Sequence, residues 1–470
     1  MESKEVEIKN GNYLGKERIT VLLRKFSVPS VLSMLVAALY NIVDQIFIGQ
    51  GVGYLGNSAT NVVYPFTVFA LALALMAGDG ISSLFSLYQG KGDEKEKERC
   101  IGNGILLILV FALFVTLLGF FAEEPLLWFF GASANCYQYA KDYFDVILIG
   151  MPAYIITSAL AGLIRADGSP RYSMFATCLG AVINLILDPI AILYMNLGTF
   201  GAGITTIIGQ YASLIMTLLY FIHPKTFAFH KSSFRVSWRS IVGILRQGIS
   251  SFIIQISIVI VISVANKLIN IYGTNSIYGV DIPLAVIGIV MKVFGIVIAI
   301  GVGIAVGGQP IIGFNYGAKN YQRVKETIFW ILGLNLGVGL VATVIFEACP
   351  QVIIDLFGKD QGETYNAYAV LCFRIYLSGI ALTCFQKAGS IILQSLGKPV
   401  QSMILSISRD VVFFVPCLII LAQQSGIEGM LYAALISDVL SSILGLFFLL
   451  NEFIQMKKLI RISKKEAVAS

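Results

Sequence analysis

Charged residues are scarce in this sequence. Of its 470 residues, only 13% are charged and 57% are hydrophobic, whereas an ordinary soluble domain has about 25% charged residues. Apolar residues on this scale indicate long segments that are buried in lipid. We therefore predict an integral membrane protein.

The side chains that bind metals or form disulfides are also few or dispersed. The only two histidines, His223 and His230, share one polar loop, and the seven cysteines form no CxxC pair. No Gly-Lys pair is followed by Ser or Thr, so the sequence has no phosphate-binding loop for ATP. We expect no cofactor, no zinc chemistry and no disulfide framework.

The sequence shows neither a signal peptide nor a nucleic-acid-binding patch. Residues 1–25, MESKEVEIKNGNYLGKERITVLLRK, are polar and mixed in charge, with no short apolar core before a small-residue cleavage site. The net charge is +6, but the basic residues lie in short loops rather than in one patch. We therefore expect the first hydrophobic segment to be retained and nucleic acid not to be a partner.

Twelve apolar segments are long enough to cross a membrane, which takes about 20 residues. They lie near 26–50, 60–89, 99–122, 140–165, 173–195, 201–222, 241–272, 281–315, 325–347, 368–395, 401–423 and 428–455. If both termini are cytoplasmic, 25 Lys and Arg residues fall on the cytoplasmic side and only Lys141 and Lys359 fall outside. This bias predicts a multi-pass protein of the cytoplasmic membrane with both termini inside.

The two halves of the chain resemble each other. Residues 146–174 align without a gap on 375–403, so that Pro170 matches Pro399. Six helices per half make both halves enter the membrane in the same sense, which is a known transporter plan. We predict an all-α polytopic protein with 12 transmembrane helices in two parallel six-helix repeats. Its predicted parts are a cytoplasmic tail (1–25), a bundle (26–222), a cytoplasmic linker (223–240), a bundle (241–455) and a cytoplasmic tail (456–470).

The apolar run VINLILDPIAIL at 182–193 contains an amide, a carboxylate and a proline. An ionisable group at the centre of a membrane helix costs about 2.5 to 3.5 kcal/mol, so it is rarely incidental. Asn184 and Asp188 are four residues apart and share a helix face. Pro189 removes its own donor and frees the carbonyl of Leu185, so we predict a bend with a cluster of oxygens.

The first helix also carries an acid. Tyr40 and Asp44 are four residues apart and share a face, and Asn41 lies beside them. These acids either take part in function or brace neighbouring helices through hydrogen bonds. In the second repeat, 229 residues later, Phe413 and Cys417 replace the amide and the carboxylate of the fifth helix, so packing common to both halves does not require them.

Five motifs together resemble the multidrug and toxic compound extrusion (MATE) family, in its bacterial multidrug efflux branch. The resemblance covers nearly the whole chain, in order and in both halves. It implies a transporter, not an enzyme, that exports amphipathic, cationic organic compounds by antiport with protons or sodium. It also implies alternating access between two lobes of a monomer in the lipid bilayer. The motifs are YNIVDQIFIGQ (40–50), LIRADGSPRYSM (163–174), VINLILDPIAIL (182–193), FGAGITTIIGQ (200–210) and GGQPIIGFNYGAKN (307–320).

The resemblance also implies site residues. In the family, the first-half helices enclose a cavity with an acidic pair on helices 1 and 5. Carried over by motif, the residues for the coupling proton, or for a sodium ion, are Asp44, Asn184, Asp188 and Thr206. The expected substrate contacts are Tyr40, Asn41, Gln255 and Lys292. Lys292 either faces the central cavity or extends toward a membrane interface, and both interpretations stay open.

The sequence departs from the family pattern in its second half. Helices 7 and 10, where some branches place acidic ion ligands, contain no Asp or Glu; they carry Gln255, Lys267, Arg374 and Lys387. This departure argues against a sodium site there and favours coupling in the first half.

Two other functions are possible. A lipid-linked oligosaccharide flippase of the same superfamily would have a more cationic cavity. An intramembrane aspartyl protease is a remote alternative, because Asp79 in LMAGDGIS is similar to a GxGD element. Met76 replaces the first glycine of that element, and no Tyr-Asp partner motif is present.

Overall fold

The structure is a computed structural model that describes residues 13–274, 276–279, 281–357 and 362–469. Within these ranges the regular structure is entirely helical. A short helix, Tyr13–Lys16, comes first, and six long helices follow. These are α1 (Ile19–Gly51), α2 (Tyr54–Lys91), α3 (Glu94–Phe129), α4 (Tyr137–Ala166), α5 (Pro170–Asp188, continued by the π-helix Pro189–Tyr194) and α6 (Gly198–Tyr220).

A loop with a short 3-10 helix, Lys231–Phe234, leads to the second half. Two of its helices, Glu363–Tyr376 and Ile380–Ser395, lie at 45° to each other and together form one bent span, α10. A short helix, Pro350–Phe357, precedes α10. The second-half spans are α7 (Trp238–Gly273), α8 (Asp281–Gly317), α9 (Tyr321–Ala348), α10 (Glu363–Tyr376 and Ile380–Ser395), α11 (399–424, with the π-helix Ser408–Phe414) and α12 (427–469).

A break separates the last two spans. The apolar helical run Pro399–Arg461 has 63 residues, about 95 Å at 1.5 Å per residue, or three times the roughly 30 Å hydrocarbon thickness. Ser425 and Gly426 interrupt the run, and Gly426 has φ 61°, which a glycine adopts readily. With this break and the bent α10, the described residues form 12 membrane helices, so the predicted fold class is confirmed.

The first and the last membrane helix extend into the two predicted tails. The first begins at Ile19 rather than near residue 26, so the end of the predicted N-terminal tail is helical. Leu22 and Phe26 in this extension are fully buried, in a cluster with apolar side chains of α8 such as Ile304. The last helix likewise continues past residue 455. A search for apolar segments missed these ends because they carry charges on their exposed faces.

The two halves pack closely at the ends of their helices that bear the basic loops. Gly90 of α2 lies against the backbone of α8, because a Cβ built on it would be 1.9 Å from the Phe314 carbonyl oxygen. Hydrogen bonds also join the halves: Gln247 donates to Ser83 Oγ at 2.9 Å, and Ser83 donates to the Gln394 carbonyl at 2.9 Å. The halves are therefore in contact, with little space between them, at this end.

Candidate functional site

The predicted bend in α5 takes the form of a π-helix. Asp188 is the last residue of the α-helical part, and the π-helix Pro189–Tyr194 follows directly. Proline has no N–H to donate, so the regular ladder is interrupted at this point. Met195 N then donates to Ile190 O, five residues back, at 2.9 Å. Such π segments are frequent at functional sites.

Asn184 and Asp188 share one face of α5, as predicted. Asn184 Nδ2 donates to Asp188 Oδ1 at 3.0 Å, and it also lies 3.3 Å from Thr205 Oγ1 and 3.2 Å from Thr206 Oγ1 on α6. The Thr205 hydroxyl donates to Asp188 Oδ1 as well. Asp188 is only 1% exposed. The Asn184 amide and the Thr205 hydroxyl thus hold one carboxylate oxygen of Asp188 in place, and Thr206 contacts the amide.

Asp44 of α1 completes the cluster. It is 8% exposed, and its carboxyl group is near enough to that of Asp188 for a hydrogen bond. Asp44 Oδ1, Asn184 Oδ1 and Asp188 Oδ2 have no hydrogen-bond partner among the described residues. An ionised carboxylate can only accept hydrogen bonds, so two carboxylates in contact repel unless a proton or a cation lies between them. The arrangement can therefore hold one proton or one small cation.

A cavity of about 190 Å³ opens beside this acidic cluster. Four of the residues predicted from the sequence line it: Tyr40, Asn41, Asp44 and Thr206. Asn184 and Asp188 are not among its lining residues, but they contact Thr206 and Asp44. The lining also includes three further tyrosines and several amides, namely Tyr64, Tyr143, Tyr154, Gln45, Asn61 and Gln210.

Sequence reasoning missed Thr205 and the tyrosines of α4. Thr205 and Thr206 are adjacent in GITTIIG, and neighbouring residues point about 100° apart on a helix, so helical spacing does not predict that both face Asn184. In the structure, the Asn184 amide reaches both hydroxyls. Tyr143 and Tyr154 gave no distinctive pattern, because tyrosine is common near membrane interfaces.

Gln255 and Lys292 lie elsewhere. Both are partly buried, and neither lines the cavity beside Asp44 nor a second cavity, of about 260 Å³, in the second half. That second cavity is mainly apolar, with Met291, Tyr376 and Phe414 in its wall. Among the residues that the structure describes, no carboxylate lies within 4.0 Å of the Lys292 amine. The roles of Gln255 and Lys292 stay predictions.

The second half contains a buried charge cluster that the sequence analysis did not find. Lys387 of α10 contacts Asp410 of α11 at 2.6 Å, and Arg409 contacts Asp410 at 2.7 Å and Asp438 of α12 at 2.8 Å. All four side chains are buried, and their formal charges sum to zero. The sequence carries one indication of this cluster, the adjacent Arg409 and Asp410 within an apolar run.

Asp79 of α2 forms a hydrogen bond between helices. Ser251 of α7 donates to Asp79 Oδ2 at 2.7 Å, and Arg165 is the charged group that acts on Asp79. An aspartyl protease needs a second aspartate to activate water, whereas the neighbours of Asp79 are a serine and an arginine.

Comparison with known proteins supports this arrangement of helices. The family model MatE matches residues 29–190 and 249–419. The Multidrug export protein MepA of Staphylococcus haemolyticus is 24% identical over 447 residues, which cover 93% of this chain and 94% of that protein.

Two solved structures are similar over 95% of this chain and 98% of theirs. One is a multidrug resistance MATE family transporter of the MOP superfamily in an outward-facing conformation, with a TM-score of 0.87 at 22% identity. The other is a MOP superfamily transporter from Pyrococcus furiosus, with a TM-score of 0.86 at 23% identity, in which a reversed polarity of the binding pocket suggests a different function. At these identities the likeness shows the fold. Because the family model matches most of both halves, the chain belongs to the MatE family of membrane transporters and is not an enzyme.

Proposed function

We propose that this protein exports amphipathic, cationic organic compounds and that it is driven by antiport with protons or sodium. One observation carries the proposal: Asp44 and Asp188 are buried in mutual contact beside a cavity, and among the described residues neither has a cationic side chain within 4.0 Å. Buried acids without a countercharge are costly unless they bind something positive. The multidrug export named for the MepA relative agrees with this proposal.

The coupling ion and the substrate would compete for the same negative charge. Asp44 lies on α1, Asp188 on α5 and Thr206 on α6. An organic cation beside Asp44 is attracted by the ionised pair, and entry of one proton or sodium lowers the charge of the pair from −2 to −1, so the cation is held less tightly and is released. One ion entering for one monovalent cation leaving moves no net charge, so the ion gradient supplies the free energy. Each tenfold difference in ion concentration supplies about 1.4 kcal/mol, enough for about a tenfold substrate gradient.

The cavity lining favours a cationic group over an anionic one. Tyr40, Tyr64, Tyr143 and Tyr154 present aromatic rings, which attract cations. No lysine or arginine is among the residues that line the cavity in the described structure. A pyrophosphate headgroup would find no countercharge here, which disfavours the flippase alternative. A volume of about 190 Å³ is below the roughly 300 to 1,000 Å³ of a whole drug site, so it suits the charged end of a larger molecule.

Either coupling ion fits the acidic cluster. Sodium would find oxygen atoms from Asp44, Asn184, Asp188 and Thr206, three of which provide an oxygen with no partner in the described structure. A proton would need only the two contacting carboxyl groups. The donor set alone does not distinguish these ions, so the experiment below uses separate gradients.

Transport by this scheme requires two lobes that alternate. The proposed moving units are residues 26–222 and 241–455, joined by the linker 223–240, in a monomer with both termini cytoplasmic. With that orientation, the close packing of Gly90 of α2 on Phe314 of α8 closes the cytoplasmic end. Export would then proceed through a state in which this contact opens.

Proteoliposomes loaded with a fluorescent organic cation test the proposal. A pH gradient and a sodium gradient, each with the ion at higher concentration outside, are applied separately. We expect one of the two gradients to drive the dye out of the liposomes, and an ionophore for that ion to abolish this movement. If neither gradient moves the dye while undecaprenyl-linked sugars cross the same membranes, the protein is a flippase.

A further inference from the structure

A third cavity, of about 600 Å³ and larger than the other two, lies at the end of the first half that carries the basic loops. It is formed by the start of α1, the turn between α4 and α5, the end of α6 and the residues that follow α6. We call it the basic pocket, and its defining residues are Lys25, Arg171, Tyr172, Tyr220, His223 and Lys225. No Asp or Glu is among the residues that line it in the described structure.

The cations of the basic pocket have too little negative charge nearby. Lys25 lies within the electrostatic range of both Arg171 and Lys225, and Glu17 is the one acid whose charge reaches it. No carboxylate of the described residues lies within 4.0 Å of any of the three cations. The positive charges of Lys25, Arg171 and Lys225 repel one another, and an anion bound between them relieves the repulsion.

The nearest buried acid is already satisfied. Asp167 is fully buried beneath the pocket and accepts hydrogen bonds from Tyr220 OH at 2.6 Å, Lys225 N at 2.8 Å and Thr226 N at 2.9 Å. Burial raises the pKa of the Asp167 carboxyl, and these donors oppose the rise. Asp167 thus fixes the linker against the α4–α5 turn, and Lys225 Nζ donates to the Gly168 carbonyl at 3.3 Å. The pocket is preformed, with its cations in place.

Exposed apolar side chains lie one helical turn further into the membrane from the cations. Val28 follows Lys25 on α1 and is 50% exposed, and Phe175 follows Arg171 on α5 and is 62% exposed. Leu219 on α6, four residues before His223, is 50% exposed. The site therefore combines a cationic rim with an adjoining apolar surface, which suits an amphiphile better than a soluble anion.

We propose that the basic pocket binds the phosphate group of an anionic phospholipid in the cytoplasmic leaflet. Basic pockets between membrane helices on the cytoplasmic side are suited to such headgroups, and Arg and Lys form charge-assisted hydrogen bonds with phosphate. The assignment to this leaflet rests on the orientation proposed above. Because α1, α5 and α6 also carry the acidic cluster, the bound lipid ties these three helices together at their cytoplasmic ends.

The buried acid and the basic residues of this pocket are not repeated in the second half. At the matching positions 229 residues later, Leu396 replaces Asp167 and Val400 replaces Arg171. Lys398, at the position of Ser169, has its charge met by Glu452 at 3.4 Å. The lipid site is thus specific to the first half.

Direct binding to the purified full-length chain tests the proposal. Affinity for dioctanoyl phosphatidylglycerol and for dioctanoyl phosphatidylcholine is measured in neutral detergent, with glycerol 1-phosphate as a soluble competitor. We expect preference for the anionic lipid and about 30-fold weaker binding in the double variant Arg171→Gln/Lys225→Gln. The double variant Lys91→Gln/Lys95→Gln removes two exposed lysines from the same side and should bind as the wild type does.

Three outcomes would overturn the proposal: equal affinity for the two lipids, unchanged affinity in the pocket variant, or glycerol 1-phosphate binding as tightly as the lipid. Unfolding temperatures without lipid show whether the pocket variant is folded. Binding requires no ion gradient and no drug, so this result is independent of the transport experiment.

Discussion

Lys387 Nζ lies 2.6 Å from Asp410 Oδ2 in the buried interior of the second half. Arg409 contacts the other oxygen of Asp410 and also Asp438, so each acid there has a cation. In the first half, by contrast, Asp44 and Asp188 have each other and no cation within 4.0 Å in the described structure. The two halves share a fold, but Asp410 and Asp438 of the second half are paired with cations, whereas Asp44 and Asp188 of the first half are not paired with a cation in the described structure. We expect the second-half cluster to support α10, α11 and α12 and the first-half acids to exchange ions.

The first prediction concerns this charge cluster. Arg409→Met leaves both Asp410 and Asp438 without their shared partner, and breaking a buried ion pair in this way costs about 3 to 5 kcal/mol. Lys387→Met should cost less, because Asp410 keeps Arg409. Thermal unfolding in detergent checks the order. Lys292→Met is the control, since no carboxylate of the described structure pairs with that lysine, and equal unfolding temperatures for Arg409→Met and Lys292→Met would refute the prediction.

The second prediction separates titration from bracing at Asp188. Asp188→Asn keeps the size and the hydrogen-bonding capacity but fixes the group as neutral. We expect normal insertion and folding with loss of gradient-driven export in proteoliposomes. Cys417→Ser, at the matching position of the second repeat, should export normally. If Asp188→Asn retains near-normal export, Asp188 is a brace, and the coupling charge is then to be sought at Asp44.

The third prediction concerns Thr205, which sequence reasoning missed. Its hydroxyl donates to Asp188 Oδ1, and a hydrogen bond to a charged group contributes about 1.5 to 3 kcal/mol. Thr205→Val keeps the shape and removes the donor, so ionised Asp188 is less stabilised. If protons drive export, the proton concentration for half-maximal dye movement should fall about tenfold or more. Thr217→Val on the same helix is the control, because the Thr217 hydroxyl is buried without a partner in the described structure; a similar change there would contradict the assignment.

The fourth prediction tests closure between the halves. A Cβ on Gly248 would meet the Met76 carbonyl oxygen at 1.7 Å, so Gly248→Val should prevent α7 from closing on α2. Gly243 on the same helix has only Leu84 at 3.6 Å, and Gly243→Val should be tolerated. We expect spin labels on the cytoplasmic ends of α2 and α7 to move apart in the first variant only. Unchanged label distances would show that α2 and α7 accommodate the larger side chain.

Local features of the site could be predicted from the sequence, and contacts between distant segments could not. The shared face of Asn184 and Asp188 follows from four-residue spacing on a helix, and Pro189 indicated a bend. The form of that bend, a π-helix, depends on which carbonyl the next free N–H reaches, and spacing does not determine this. The proximity of Asp44 and Asp188 joins α1 to α5, and only the family resemblance indicated it. Arg409 and Asp438 are 29 residues apart, and no periodicity relates them.

The fifth prediction tests the orientation on which the lipid site also depends. Cys349 follows α9 and is exposed, whereas the other six cysteines are buried or partly buried. With both termini cytoplasmic, Cys349 lies outside, so a membrane-impermeant maleimide should label it on intact cells. Ser232→Cys in a Cys349→Ser background lies in the linker and should be labelled only after permeabilisation. The reverse pattern would invert the topology: the basic pocket would then face the outer leaflet, while the geometry of the acidic cluster would be unchanged.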